Sequence, residues 1–147
     1  MFYNKLKSGT FVSDFLFNFY SKMSRQLTKQ EIHNLAMNIV GKDLEVKGYE
    51  FIAINSQLKR NPQFVCIDRN NTRYFVIVKI APISEFAIAF DVIWMETFKK
   101  HARINDAKVI FAGVGIGSKE NKNRFPNFNE EYLLQYEGFQ FLDIELN

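Results

Sequence analysis

From Thr28 onward the chain switches between two hydrophobic periods, and each switch predicts an element. Ile32, Leu35, Ala36, Ile39, Val40 and Leu44 recur at helical spacing. Thr28 and Glu31 form a Thr-x-x-Glu capping box, which opens a helix by satisfying N–H groups that have no partner inside it. Gly48 ends that helix, because glycine accepts the left-handed conformation of a helix stop. Tyr49 to Asn55 alternates and is rich in β-formers, so it predicts a strand. A polar stretch, Ser56 to Asn61, leads through Pro62 to a second strand, Gln63 to Asp68. Asn70-Asn71 predicts a two-residue hairpin turn, since asparagine tolerates positive φ. The third strand, Arg73 to Ile80, is apolar on both faces, Phe75 and Ile77 on one, Val76 and Val78 on the other. Such a strand belongs in the middle of a sheet covered on both sides.

Pro82 ends the third strand. A second helix is predicted from about Phe86 to Arg103, with Phe90, Ile93, Trp94, Thr97, Phe98 and Ala102 on its apolar face. Lys108 to Gly115 is a fourth strand, and Gly117 to Asn129 a polar loop. Tyr132 to Tyr136 and Phe139 to Ile144, joined by Glu137-Gly138, predict a tight terminal hairpin. The order is helix, three-strand meander, helix, strand, hairpin. It predicts one α/β domain over residues 23–147.

Residues 1–22 form a separate aromatic arm, with Phe2, Tyr3, Phe11, Phe15, Phe17, Phe19 and Tyr20. Ser13 can cap a short accessory helix from Asp14 to about Lys22, or the arm is an upstream extension with Met23 as an alternative start. Its apolar stretch is broken by Ser13, Asp14 and Asn18 and lacks a small-residue cleavage site, which argues against a secretory leader. Its basic residues flank the apolar part instead of forming a polar face, unlike a membrane-surface helix.

Composition narrows the classes further. A chain of 147 residues with 47% hydrophobic content can bury one core, which excludes intrinsic disorder. Its apolar runs fall short of the ~20 residues of a membrane-spanning helix, so a cytoplasmic location is expected. A single cysteine, Cys66, excludes an internal disulfide and any cysteine-built zinc or iron–sulfur site. The net charge of +3 comes from the first thirty residues, where Lys5, Lys7, Lys22, Arg25 and Lys29 face only Asp14. The remaining body is near neutral, unlike the basic surface of a nucleic-acid binder. Its one basic cluster, Lys99, Lys100, His101 and Arg103, reads as a helix C-terminal turn favoured by the helix dipole.

Few residues can carry chemistry. His33 and His101 lie on different helices without ligand spacing, and both read as surface or helix-end histidines. Cys66, between Val65 and Ile67, reads as a buried strand thiol rather than a nucleophile. There is no Gly-x-Ser-x-Gly elbow and no P-loop. Gly113-Val-Gly115-Ile-Gly117 departs from a dinucleotide fingerprint, because its third glycine falls one residue early and polar Ser118 to Asn123 follows. Those glycines read as a strand end that needs room for close packing. No cofactor and no metal ligand set is predicted.

The element order resembles the core of the restriction-endonuclease-like fold, the PD-(D/E)XK nuclease superfamily. That resemblance implies an Asp at the start of the second strand, and an acidic residue two before a Lys on the third, binding a divalent metal beside the attacking water. Here the second strand opens Pro62-Gln63 and the third reads Ile77-Val78-Lys79. Ile77 and Lys79 share a face, as the motif requires, but both carboxylates are replaced. Glutamine is a poor ligand for a hard cation and isoleucine is none.

A second likeness is carried by Leu27 to Gly41, Asn55-Ser56, Pro62 to Val65, Met95-Glu96-Thr97 and Ala112 to Gly115. These runs resemble a small uncharacterised bacterial family whose members often bear the name of the flavoprotein component of a sodium-translocating NADH–quinone reductase. That name implies a membrane-anchored flavoprotein with a four-cysteine iron–sulfur cluster, which a chain with one cysteine and no dinucleotide motif does not match.

Three function classes follow. The first is a non-catalytic binding or interaction domain on a degenerate nuclease scaffold, its cleft formed by Gln63 and Lys79 with Asn55 and Lys59. Its partner is left open between a protein, a weakly bound anion or nucleic acid, and a second copy of the chain. The second is a metal-dependent nuclease whose carboxylates have relocated to Glu31, Glu50, Asp68 or Asp91. The third is a reductase-associated component.

Overall fold

The computed structural model describes residues 25–88 and 92–142. The arm over 1–22, its helix from Asp14 and the boundary at Met23 lie outside the described residues. Helix α1 spans Lys29–Val46 and opens with the expected capping box: Glu31 N donates to Thr28 Oγ1 at 3.1 Å and Thr28 N to Glu31 Oε1 at 3.0 Å. Gly48 follows its end at φ 91°, the left-handed conformation anticipated for the stop.

The strands are β1 (Glu50–Ile54), β2 (Phe64–Ile67), β3 (Arg73–Ala81), β4 (Lys108–Ser118), β5 (Tyr132–Gln135) and β6 (Gln140–Phe141). They form one mixed sheet in the order β1-β2-β3-β4-β5, with β6 also on β4. β1, β2 and β3 make an antiparallel meander, and β3 pairs parallel to β4 from Tyr74↔Lys108 to Ala81↔Gly115. The doubly apolar third strand is therefore central, because only an interior strand can bury both of its faces. Between β3 and β4 the chain passes through a 3-10 helix, Ile83–Ile88, and helix α2, Val92–Ile104. A single helix from Phe86 was expected. Instead Pro82 starts a tight turn, its carbonyl accepting from Glu85 N at 2.9 Å, and the α-helix begins later.

A helix covers each face of the sheet. Ala36, Met37, Val40 and Leu44 of α1 pack on Phe64, Cys66, Tyr74, Val76, Val78, Ile110, Ala112, Val114 and Ile116. Met95, Phe98 and Ala102 of α2 pack on Phe75, Ile77, Val109 and Phe111. The two sets alternate along β3 and β4 with the period of 2 that a strand imposes. Thr97, placed on the apolar face of α2 by the sequence, is exposed, and Met95 takes that role.

Two turns depart from expectation. The β2–β3 connection is a three-residue loop, Arg69 to Asn71, in which Asn71 alone takes positive φ (61°) and Asn71 N donates to Asp68 O at 3.1 Å. Asp68 Oδ1 accepts from both Asn70 N and Thr72 N, so its side chain holds the loop that a two-residue turn would have closed by backbone alone. The terminal hairpin is absent among the described residues: β5 and β6 both run antiparallel to β4, at Gly115–Ser118 and Ile110–Phe111 respectively. They are two halves of one interrupted edge strand. From Gln135 to Gln140 the outer strand takes one more step than β4 takes from Phe111 to Gly115, and Gly138 at φ 89° absorbs the surplus. Tyr136 Oη anchors the interruption by donating to Asp43 Oδ2 of α1 at 2.6 Å, while Phe139 sits between Tyr49 and Phe141.

His33 corrects another expectation. It is 4% exposed on the core side of α1, and its Nε2 has no hydrogen-bond partner. Burial holds its pKa below the ordinary histidine value. As pH falls below about 6.5, the unfolded chain therefore takes up a proton that the folded chain resists, so stability declines, with a slope of at most about 1.4 kcal/mol per pH unit for one proton. Glu31 acts in a lower window. Its hydrogen bonds from the Arg25 guanidinium, then from Thr28, bring its carboxyl down to about 2, so its contribution is lost only as pH falls from about 4.5 toward that value. Urea denaturation between pH 8 and 4 should show the first decline, and His33→Leu should remove it. A decline unchanged in that variant would assign it to another group.

Candidate functional site

Gln63 lies just before β2, 3% exposed, with every described polar contact internal. Its N–H donates to Val76 O at 3.0 Å and its carbonyl accepts from Asn55 N at 2.7 Å. Its side-chain Oε1 accepts from Val78 N at 2.8 Å. β2 starts only at Phe64, so the buried N–H of Val78 lies beyond that strand, and the carboxamide takes the place of a strand carbonyl. Gln63 is a clasp between β2 and β3.

Ile77 and Lys79 lie on the face of β3 that looks toward α2, as their spacing requires. Ile77 is fully buried among Phe75, Met95 and Phe98, and Lys79 is exposed opposite Gly113 of β4. Asn55 is tied to Gln63 through its N–H, while its Oδ1 accepts from Gln57 N at 3.1 Å. Lys59 sits in the exposed loop after β1 at φ 61°. Among the described residues no hydrogen bond joins it to Gln63 or Asn55. The fold thus joins Gln63 to Asn55 and puts Lys79 near the same end of β3, with Lys59 on the neighbouring loop.

Of the four carboxylates that a relocated metal site would draw on, three lie among the described residues. Glu31 caps α1 and pairs with Arg25 at 2.8 Å. Glu50 opens β1 opposite Ile67, at the far end of that strand from Asn55. Asp68 accepts from Asn70 N, Thr72 N and Tyr74 Oη at the start of β3, six residues and roughly 20 Å along the strand from Lys79. Burial would raise the pKa of Asp68, yet these hydrogen bonds and the nearby Lys108 bring it below the ordinary carboxylate value. Asp91 lies outside the described residues. Among the described residues no group of three or more His, Cys, Asp or Glu side chains is placed to hold a metal ion.

Cys66 is fully buried, its thiol pushed up to about 12 by burial and by Asp68, which leaves it protonated and inert. Gly113, Gly115 and Gly117 all lie within β4 rather than in a phosphate-binding turn. A Cβ on Gly117 would stand 3.1 Å from Lys122 Cα and 3.2 Å from Ile83 Cδ1, so this glycine admits the close approach of the following loop and the 3-10 helix. No described helix is long and apolar enough to cross a membrane.

Two surfaces carry no sequence motif. A groove of about 630 Å³ between α1 and β1 has Met37, Phe51, Ile54 and Phe64 on its walls and Asn38 and Lys42 at its rim. A hollow of about 400 Å³ lies at the start of β3 and β4, between two turns. Both bring together residues far apart in the chain, so only the strand register reveals them.

Fold and site together define a three-layer α/β domain in which Gln63 clasps β2 to β3 and Ile77 lies in the core under α2. The chain belongs to a family described as a domain of unknown function (DUF8840), whose model matches residues 30–142. No curated protein and no solved structure matches it.

Proposed function

We propose that this chain is a cytoplasmic, non-catalytic binding domain on a degenerate restriction-endonuclease-like scaffold. The antiparallel meander, the parallel β3–β4 pair and a helix on each face support the scaffold reading. The observation that carries the function is the use of the two carboxylate positions. Gln63 Oε1 is committed to Val78 N, and Ile77 is 0% exposed in the core under α2. A cation there would gain neither charge nor an available oxygen from them. The contact surface of this reading is the Gln63–Lys79 cleft with Asn55 and Lys59 at its margin. The reductase name gains no support from a buried lone cysteine and a glycine run inside a strand.

The test is an assay on supercoiled and single-stranded DNA with magnesium and with manganese, beside the Lys79→Ala variant. The expected result is no cleavage above a no-enzyme control for either protein. Metal-dependent cleavage by the parent that disappears in the variant would replace this reading with the nuclease of relocated carboxylates, in which Asp91 would be the first residue to examine.

A further inference from the structure

The hollow at the start of β3 and β4 is walled by Asn71, Thr72 and Arg73 from one turn, and by Arg103, Asp106, Ala107 and Lys108 from the other. It stands about 20 Å along β3 from Lys79, at the opposite end of the sheet from the nuclease-like cleft. Three of its side chains are cationic and one is anionic, in a body that is otherwise near neutral.

The fold uses the cations only in part. Among the described residues none of Arg73, Arg103 and Lys108 forms an ion pair. Arg73 Nη1 reaches Asn105 O at 3.4 Å and Arg103 Nε reaches Lys99 O at 3.4 Å, long contacts that each use one of the five N–H donors of a guanidinium. Asp68 feels the charge of Lys108, but its oxygens already accept from Asn70 N, Thr72 N and Tyr74 Oη. Complementing the end of α2 accounts for only part of the cluster. Ala102 O accepts from Asn105 N and Ala107 N, Arg103 O from Asp106 N and His101 O from the Asn105 side chain, so of the three cations only Arg103 meets a carbonyl of that helix, at Lys99 O. Arg73 and Lys108 come from strands, not from the helix.

Asn71 at φ 61° and Asp106 at φ 52° are left-handed residues of the two connections that line the hollow. Asn71 and Thr72 also bring neutral donors to its lining. Asp106 and, through Lys108, Asp68 oppose an anion, and three positive charges against two carboxylates set the sign.

We propose that this hollow is a binding site for the phosphate group of a small phosphate ester, held by Arg73, Arg103 and Lys108 between the two turns. Guanidinium forks match phosphate oxygens in pairs, and an ammonium adds a point charge. A volume of about 400 Å³ admits a phosphate with a modest organic group. The site is independent of the cleft reading above.

The test uses the full chain, labelled with nitrogen-15, titrated at low ionic strength with inorganic phosphate, with a nucleoside 5′-monophosphate and with a ten-nucleotide single strand, with sodium chloride as a control. Saturable amide shifts centred on residues 71–73 and 103–108 are expected with the first two. Lys108→Gln should weaken them at least tenfold, and so should Arg103→Gln. Lys108 makes no described hydrogen bond through its side chain, so its variant keeps the fold and keeps the test decisive. Shifts that chloride reproduces, that spread over basic residues elsewhere, or that persist in Lys108→Gln would overturn the proposal. Binding of the oligonucleotide with no response to either small phosphate would overturn it as well, and would point to a polyanion surface.

Discussion

Ile77→Glu, which puts a carboxylate where the proposed scaffold would carry one, is expected to destabilise the domain by about 4 kcal/mol or more at neutral pH. Ile77 is completely buried, its neighbours being Phe75, Met95, Phe98 and the strand side chains beside them. None of those groups can pair with a carboxylate. The new side chain would resist ionising, so its folded-state pKa would rise above the ordinary glutamate value. The unfolded chain would then release its proton first, and the loss of stability would grow as pH rises through about 4.3 and beyond. Urea unfolding at pH 5 and pH 8 measures both effects. A variant as stable as the parent at pH 8, or one rescued by magnesium alone, would mean that position 77 still opens onto a cation site, and the non-catalytic reading would fall.

Phe64→Ala is expected to cost about 3–5 kcal/mol. The Phe64 ring is 3% exposed, lies 5.2 Å from the Phe51 ring, and reaches α1 at Gly41. A Cβ at Gly41 would stand 3.3 Å from Phe64 Cζ, so helix and ring meet where the helix has no side chain. This contact predicts a coupling. Gly41→Ala should gain little in the parent, where improved helix propensity is offset by crowding. In the Phe64→Ala background the ring is gone and the same change should stabilise by about 1 kcal/mol. Denaturant midpoints of the four proteins test it, and equal effects of Gly41→Ala in both backgrounds would place the ring elsewhere.

Elements with a strong local signal are legible in the sequence. The Thr28–Glu31 box, the stop at Gly48 and the two-sided apolar pattern of Arg73 to Ile80 each depend on neighbours within a few residues, and the structure has them where expected. The pairing of the terminal strands is not legible, because alternation and a Glu-Gly pair describe a strand and a bend, not a partner. Whether β5 turns back on β6 or both lie on β4 depends on the free edge of β4, formed by residues distant in sequence. The burial of His33 is hidden for a related reason. The residue is polar by type, and only the packing of α1 against the sheet encloses it. The shared face of Ile77 and Lys79 follows from strand periodicity. The bond from Val78 N to Gln63 Oε1 does not, since it depends on where β2 begins.

The interrupted outer strand bears on how the chain reaches its fold during synthesis. β4 can dock on β3 as soon as α2 has crossed the sheet, but among the described residues its other flank is covered by residues 132–142, which are made after it. Until they arrive, β4 presents a row of unpaired N–H and C=O groups along an apolar strand, the kind of edge on which chains join one another. The two short pairings at Ile110–Phe111 and Gly115–Ser118 close that edge from both ends, and Leu142 N extends the cover to Val109 O at 3.0 Å. The segment from Tyr132 to Leu142 is thus a late-arriving shield: the nascent chain is most exposed to self-association after β4 has emerged and before this segment has followed it.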